Sequence, residues 1–179
     1  MPIAAGTHQF GPGQGALRIL TYREGVAARV GHDLIIEVAE WEAQLTLAED
    51  GAPAAVELTA APASLAVREG LHGVKPLSDG DRADIRRTID DKVLGRKPIA
   101  FRSTAVEPGA GGAVTVRGDL TLAGVTRPAS FSLRVGEDGR VEGRADVRQS
   151  EWGIKPYRGL MGALRVRDEV EVTIDARLP

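Results

Sequence analysis

The sequence predicts an all-β fold in which short antiparallel strands form a closed barrel or a sandwich beside one amphipathic helix. Apolar and polar residues alternate with a period of two over most of the 179 residues. Glycine, proline and Asp-Gly pairs separate the alternating segments, and a single segment shows helical spacing instead. Nine or ten strands are predicted in this way. An eight-stranded barrel is the smallest that can either hold one small ligand or fill its interior with side chains.

In the N-terminal half the alternation is weaker, but turn residues mark the boundaries of the strands. The predicted strands span residues 16–22, 25–30, 34–38, 41–48, 54–60 and 64–68. Residues 11–15 before them are rich in glycine, but they lack the Lys-Ser/Thr ending of a phosphate loop and lead into a strand. We therefore predict a flexible approach to the first strand there.

One segment, residues 78–94, has the i, i+4, i+8 spacing of an amphipathic helix. Its apolar positions are Ile85, Ile89 and Val93. Ser78 or Asp79 can cap the start of this helix, and the acidic first turn suits the positive end of the helix dipole. Gly95 is a favoured residue at the C-terminal end of a helix, and Pro98 prevents the helix from continuing.

The C-terminal half alternates most clearly. Residues 114–122 place four apolar side chains on one face, namely Val114, Val116, Leu120 and Leu122. Pro128 can open a strand but not sit inside a central one, so the next strand is predicted over 129–135. A Glu-Asp-Gly hairpin signal precedes a strand over 141–147, and residues 170–176 form the last strand.

Length, charge and composition narrow the class of protein. A chain of 179 residues fits one domain, which we expect to span residues 1–179. The absence of cysteine excludes disulfides, thiol catalysis and cysteine-ligated metals. A net charge of -2 provides no general basic field for nucleic acid. No apolar run has the length of a membrane span or the form of a secretory signal, so we expect no stable membrane insertion and a cytoplasmic location.

The interior of the predicted barrel is either open or filled, and this choice bears directly on function. Small residues at predicted inward positions include Ala27, Gly143 and Ala145. The chain also has only three Phe, two Trp and two Tyr. Because a filled core needs more bulk, this composition favours a cavity.

Motifs for catalysis are scarce, and His32 is the most informative single residue. No Gly-x-Ser-x-Gly elbow occurs, and His8, His32 and His72 lack the spacings of metal-binding motifs, so we expect neither a metal nor a cofactor. His32 lies between Gly31 and Asp33, where a bend joins two predicted strands. It either holds that bend through a hydrogen bond to backbone or to Asp33, or contacts a ligand near the barrel mouth.

Trp152, Tyr157 and Met161 present a similar choice. They lie in a glycine-rich connection just before the last strand. Such residues either cap a core or belong to a flap over the barrel opening.

Four motifs, in order along the chain, resemble those of the YceI-like, or polyisoprenoid-binding, domain family. The strongest is residues 118–128, which are similar to the family pattern G-D-L-T-[IL]-x-G-V-T-[KR]-P. Residues 98–104 resemble its P-x-x-F-x-S-T strand entry, residues 150–154 its S-[DE]-[FW]-G-I segment, and residues 168–172 its final strand. Gln149 stands where the family pattern has an arginine.

The resemblance implies an extended lipocalin-like antiparallel β-barrel of about eight strands with one amphipathic α-helix packed against it. It also implies that a long isoprenoid lipid, such as a polyprenyl phosphate or an isoprenoid quinone, lies inside the barrel. The candidate ligand-binding residues are His32, Phe101, Leu120, Leu122, Phe131, Leu133, Trp152, Tyr157 and Met161. The apolar strand residues would line the tunnel, and His32 and Trp152 would stand near a mouth.

Three functions stay open on the sequence. A non-enzymatic protein that carries or sequesters a hydrophobic ligand is favoured by the resemblance. The alternatives are an enzyme that uses His32 as acid or base, and a filled barrel that docks a protein partner. Edge strands outside a closed barrel could pair between two copies, so a homodimer is a further alternative.

Overall fold

The computed structural model describes residues 3–179, apart from the side chain of Leu160. Within these residues there are fourteen strands and one α-helix, numbered here in chain order. The first seven strands are β1 (Gly6–Phe10), β2 (Gly15–Thr21), β3 (Arg23–Glu24), β4 (Asp33–Val38), β5 (Trp41–Leu47), β6 (Pro53–Ala60) and β7 (Leu65–Leu71). The helix α1 (Asp79–Thr88) follows them. The other seven strands are β8 (Ile99–Pro108), β9 (Val114–Leu122), β10 (Val125–Val135), β11 (Arg140–Arg148), β12 (Arg158–Gly159), β13 (Leu164–Val166) and β14 (Glu169–Arg177).

Eleven of these strands form one large antiparallel sheet that curls around an interior. Their order is β1-β5-β6-β8-β9-β10-β11-β14-β2-β4-β7. The chain itself joins the two ends of this sheet. At one end stand β1, β5 and β6, and they are continuous in the chain with β2, β4 and β7 at the other end. When each bent pair is counted as one long strand, eight strands surround the interior, so the predicted antiparallel barrel is confirmed.

The bend between β4 and β5 lies beside the bend between β6 and β7. The Ala39 amide donates to the Ser64 carbonyl oxygen at 2.9 Å, and the Ala61 amide donates to the Glu40 carbonyl oxygen at 3.0 Å. The buried Ser64 hydroxyl donates to the Ala61 carbonyl oxygen at 2.8 Å and accepts from the Glu40 amide at 3.0 Å. These bonds satisfy the backbone groups at the corner where the barrel closes.

The period-two pattern of the sequence is the reason that one face of each strand points inward. In β5, four buried apolar residues alternate with more exposed polar ones. The buried residues are Trp41, Ala43, Leu45 and Leu47. Since successive side chains of a strand point to opposite faces, this alternation fixes which face meets the core.

The predicted helix forms, and it covers the edge of the sheet. The Asp81 amide donates to the Ser78 hydroxyl and the Ser78 amide donates to the Asp81 carboxylate, both at 3.0 Å, so the helix begins with a capping box. Ile85 packs on the core from α1, which lies beside β7, and the Arg86 guanidinium donates to the Ala63 carbonyl oxygen at 2.6 Å. The α-helix gives way to a π-helical turn over Ile89–Val93 that the spacing did not reveal.

Two sequence predictions in the N-terminal region are wrong. Residues 25–30 do not form a strand, because Gly25 has a φ of +102° and lies against Ala163, and a 3₁₀ turn follows over Ala28–Val30. Ala27 therefore lies in a turn and not on an inward strand face. The sequence patterns predict no strand before Gly11, yet β1 pairs with β5 over its whole length.

The strand after the 118–128 motif also begins earlier than predicted. β10 starts at Val125 and contains Pro128. Proline is tolerated there because β10 pairs with β11 only from Ser132 to Val135, so its first seven residues have β9 alone as a partner. The facing part of β11, Ala145–Arg148, pairs only with β14. The barrel wall is therefore split between the first half of β10 and the second half of β11.

Candidate functional site

The barrel encloses a cavity of about 690 Å³, so the interior is open and not filled. Its walls are mainly apolar. Seven of the nine predicted ligand-binding residues line it, namely His32, Phe101, Leu120, Leu122, Phe131, Leu133 and Tyr157. Trp152 and Met161 are not among the lining residues. A role in binding stays a prediction for all nine.

An aromatic pair forms part of the cavity wall. Phe101 in β8 and Phe131 in β10 meet edge to face, with ring centroids 5.1 Å apart. A Cβ atom on Gly118 of β9 would lie 2.6 Å from Phe101 Cζ, so only glycine leaves room for this ring. The glycine that opens the 118–128 motif thus shapes the cavity wall directly.

Sequence reasoning missed much of the wall contributed by the N-terminal strands and by β14. These residues include Leu17, Ile19, Ile36, Leu45, Val172 and Ile174. The signal was present, because the same alternation places each of them on an inward face. α1 adds Ile85 and the π-helical turn after it adds Ile89, and both side chains line one side of the cavity.

Thr21 is a buried hydrogen-bonding group in this otherwise apolar wall. It follows Leu17 and Ile19 on the inward face of β2 and lines the cavity. Its hydroxyl is buried and has no hydrogen-bond partner among residues 3–179. A buried hydroxyl without a partner is costly, so this group is available to a ligand atom in the cavity.

His32 contacts both the cavity and a neighbouring loop. Its Nε2 atom donates to the Lys75 carbonyl oxygen at 2.6 Å, and a Cβ atom on Gly73 would lie only 2.5 Å from the same nitrogen. The hydrogen bond to backbone agrees with the structural role considered from sequence. The suggested partner Asp33 is instead bound by Arg23, with 2.9 Å between Nη1 and Oδ2.

The arginines around the cavity are all held in ion pairs. Arg23 pairs with Asp33 as described, Arg144 with Glu171 at 2.7 Å, and Arg165 with Glu24 at 2.9 Å. The carboxylates of Asp81, Asp84 and Asp146 also lie around the cavity. Three arginines and three aspartates leave no net positive charge for an anionic head group.

Trp152 lies outside the cavity lining. It is buried with Val147 and Ile154 in a small second core, and its Nε1 donates to the Leu120 carbonyl oxygen at 2.8 Å. Trp152 is thus placed as a core cap. Met161 is fully exposed, with a φ of +58°, and the half-exposed Tyr157 lies at the cavity opening.

Other features bear on chemistry at this site. Within residues 3–179, no three His, Asp or Glu side chains come together as metal ligands would. In the same stretch, every helix falls short of the length and apolarity that crossing a bilayer requires. The carboxyl of Asp81 has a pKa below its usual range, because the backbone amide and the hydroxyl of Ser78 stabilise its charged form.

A curled antiparallel barrel around a mainly apolar cavity places the protein among the small β-barrels whose interior has room for one small ligand. The chain belongs to the YceI-like domain family, whose family model matches residues 25–178. The resemblance found in the sequence motifs is therefore confirmed.

Solved structures agree with this assignment at the level of the fold. The protein is similar to Burkholderia cenocepacia BcnA, with a TM-score of 0.62 and 17% identity over 89% of this chain and 94% of that chain. It is also similar to the Campylobacter jejuni YCEI protein, with a TM-score of 0.55 and 14% identity over 78% of this chain and 80% of that chain. A search of curated protein sequences gave no match.

Proposed function

We propose that the protein binds a long-chain isoprenoid lipid in its barrel and carries or sequesters that lipid without chemical change. The observation that supports this proposal most is the 690 Å³ cavity with mainly apolar walls. Each methylene group removed from water contributes about 0.8 kcal/mol, so a chain of ten or more carbons outweighs ordering costs of several kcal/mol.

The cavity volume sets the length of chain that fits. A dry protein cavity of about 150 Å³ holds one benzene molecule, so 690 Å³ corresponds to roughly 30 carbon atoms. We expect affinity to rise with each isoprene unit up to about this length and then to level off. The remainder of a longer chain would extend outside the cavity.

The charged residues that line the cavity favour a neutral head group inside it over a phosphate. Arg23, Arg144 and Arg165 are each paired with a carboxylate, whereas recognition of a phosphate usually relies on unpaired arginines or lysines. The Thr21 hydroxyl can instead donate to one carbonyl oxygen. An isoprenoid quinone has that chemistry, so we favour it over a polyprenyl phosphate.

An enzymatic reading has less support. His32 Nε2 is engaged by the Lys75 carbonyl oxygen, and Asp33, the one partner available from sequence, is held by Arg23. If His32 were an acid or base, the His32→Gln variant would lose turnover completely. If the protein is a carrier, the same variant should bind lipid only modestly less well.

The test is native mass spectrometry of the freshly purified protein, followed by organic extraction and identification of the released molecule. We expect one isoprenoid quinone per chain, or uptake of one added quinone by the ligand-free protein. A clean ligand-free mass with no uptake of quinone or polyprenyl phosphate would refute the carrier function. Uptake of the phosphate alone would refute the choice of head group and keep the carrier function.

A further inference from the structure

We propose that three loops at the open end of the barrel form a docking surface for an anionic lipid bilayer. The loops are residues 25–31, 72–77 and 155–163, and together they are called the loop face. This proposal goes beyond ligand binding, because it concerns the surface that the protein would approach and not the molecule inside the cavity.

The three loops meet at the same end of the barrel through short contacts. The Ala27 amide donates to the Ala163 carbonyl oxygen at 2.9 Å, which joins the first loop to the third. His32, directly after the first loop, donates to the Lys75 carbonyl oxygen at 2.6 Å, which joins the first loop to the second. These bonds hold the loops as one surface.

Large apolar side chains are exposed on this surface. They are Val26 (94% exposed), Met161 (fully exposed), Val74 (68%), Tyr157 (55%) and Val30 (46%). Among the described side chains, the two other exposed large apolar residues are Leu71, at the end of β7, and Val125, at the start of β10. Both strand ends lie at the open end too, so exposed apolar area is concentrated on one side of the molecule.

The loop face is also basic. It contains Arg29, Lys75, Lys155 and Arg158, all exposed, and no Asp or Glu, although the whole chain has a net charge of -2. By contrast, the turns at the opposite end, residues 48–52, 109–113 and 136–139, contain no Lys or Arg and four acidic residues. Basic residues and exposed apolar side chains are therefore concentrated at the same end of the barrel.

This combination fits an anionic membrane surface. Apolar side chains can enter the boundary between head groups and acyl chains, while lysines and arginines attract anionic lipids over about one Debye length. No carboxylate lies within the three loops themselves, so their charge favours an anionic lipid surface as the partner. The cavity opens within the loop face, because Val30 and Tyr157 both line it and are exposed.

The test is flotation of the full chain with vesicles of phosphatidylcholine and phosphatidylglycerol, with pure phosphatidylcholine vesicles for comparison. We expect binding to the anionic vesicles that weakens as salt is added. The double variant Arg29→Glu/Lys155→Glu should bind at least about tenfold more weakly. Val26→Ser/Met161→Ser should also lose about tenfold at unchanged charge, because two apolar side chains no longer enter the bilayer.

A matched control separates a local effect from net charge. Arg102→Glu/Arg134→Glu changes the net charge equally at exposed positions outside the loop face and should bind like the wild type within about twofold. Equal weakening by this control and by Arg29→Glu/Lys155→Glu would overturn the proposal. So would wild-type protein that does not float with anionic vesicles at low salt, or that forms a dimer through Val26 and Met161 instead.

The vesicles contain no isoprenoid lipid, so docking and cavity binding are measured separately. Loss of flotation with normal quinone uptake would refute docking alone. Normal flotation without quinone uptake would refute the proposed ligand and keep the docking surface.

Discussion

The two ends of the barrel are built from the same strands but differ in almost every property. The turn end is the end opposite the loop face. There Leu133 and Val141 are buried in the core, and the connections between strands are short and glycine-rich. At the open end, the loop face exposes apolar and basic side chains, and lining residues such as Tyr157 reach the solvent. From this difference we expect substitutions at the turn end to affect stability more than substitutions at the open end, and we expect the open end to make the contacts with other molecules.

The largest expected effect is a difference in the free energy of unfolding between a variant at the turn end and a variant at the open end. Leu133→Ala should lower the free energy of unfolding by about 2–5 kcal/mol, because it removes a buried side chain at the turn end. Tyr157→Ala at the open end should change it by less than about 1 kcal/mol. Urea denaturation of both variants measures this, and equal losses would contradict the division of roles.

A second variant blocks the cavity from its wall. Ala145 lies in the cavity wall, so Ala145→Phe should place a ring in the space of the ligand and lower affinity for an isoprenoid quinone at least about tenfold. Ser132→Phe adds the same ring on the outer face and is the matched control. Native mass spectrometry measures occupancy. Unchanged occupancy in Ala145→Phe would place the ligand elsewhere.

Thr21→Val tests the orientation of the ligand. The variant removes a buried hydroxyl without a partner, so the ligand-free protein should gain up to about 1 kcal/mol of stability. Affinity for a quinone should fall about fivefold, while affinity for a hydrocarbon with the same isoprenoid tail should stay unchanged. Equal effects on both molecules would show that the hydroxyl does not contact the head group.

The smallest expected effect is a pH dependence at the start of α1. The pKa of Asp81 is lowered in the folded protein, so its contribution to stability is present above the unfolded pKa, about 4, and is lost as pH falls through the folded pKa. The Asp81→Asn variant should therefore be less stable than wild type at neutral pH and equal to it in strong acid. Urea denaturation at several pH values measures this.

The control for that measurement is Asp79→Asn, which removes a charge from the same helix turn but leaves the capping box intact. It should retain most of the difference in stability between neutral and acidic pH. If Asp79→Asn and Asp81→Asn behave alike, the helix dipole and not the capping bond explains the effect.

Much of the fold could be predicted because alternation and capping are local signals. The strand from Val114 to Leu122 and the start of the helix at Ser78 follow directly from nearby residues. Residues 25–30 were misassigned because Gly25 meets Ala163, far away in the sequence. No local pattern carries that contact.

The candidate site was predictable only in its apolar part. Phe101 and Leu120 lie on inward faces that alternation identifies. Thr21 occupies an inward position of the same kind, but a threonine on a strand gives no indication that its hydroxyl lacks a partner. The pairing of Arg144 with Glu171 depends on the register between β11 and β14, which only the folded chain reveals.

The split in the wall between β10 and β11 affects how a chain-like molecule enters and leaves. A fully hydrogen-bonded barrel admits a long chain only end first, so a bulky group at each end would prevent entry. Here Phe131 and Ala145 line the cavity from two strand segments that share no backbone hydrogen bonds. The second core of Val147, Trp152 and Ile154 packs beside this split, against Ala129 and Ala145. Sideways entry of a chain would therefore require these side chains to move, whereas entry by one end of the chain would not.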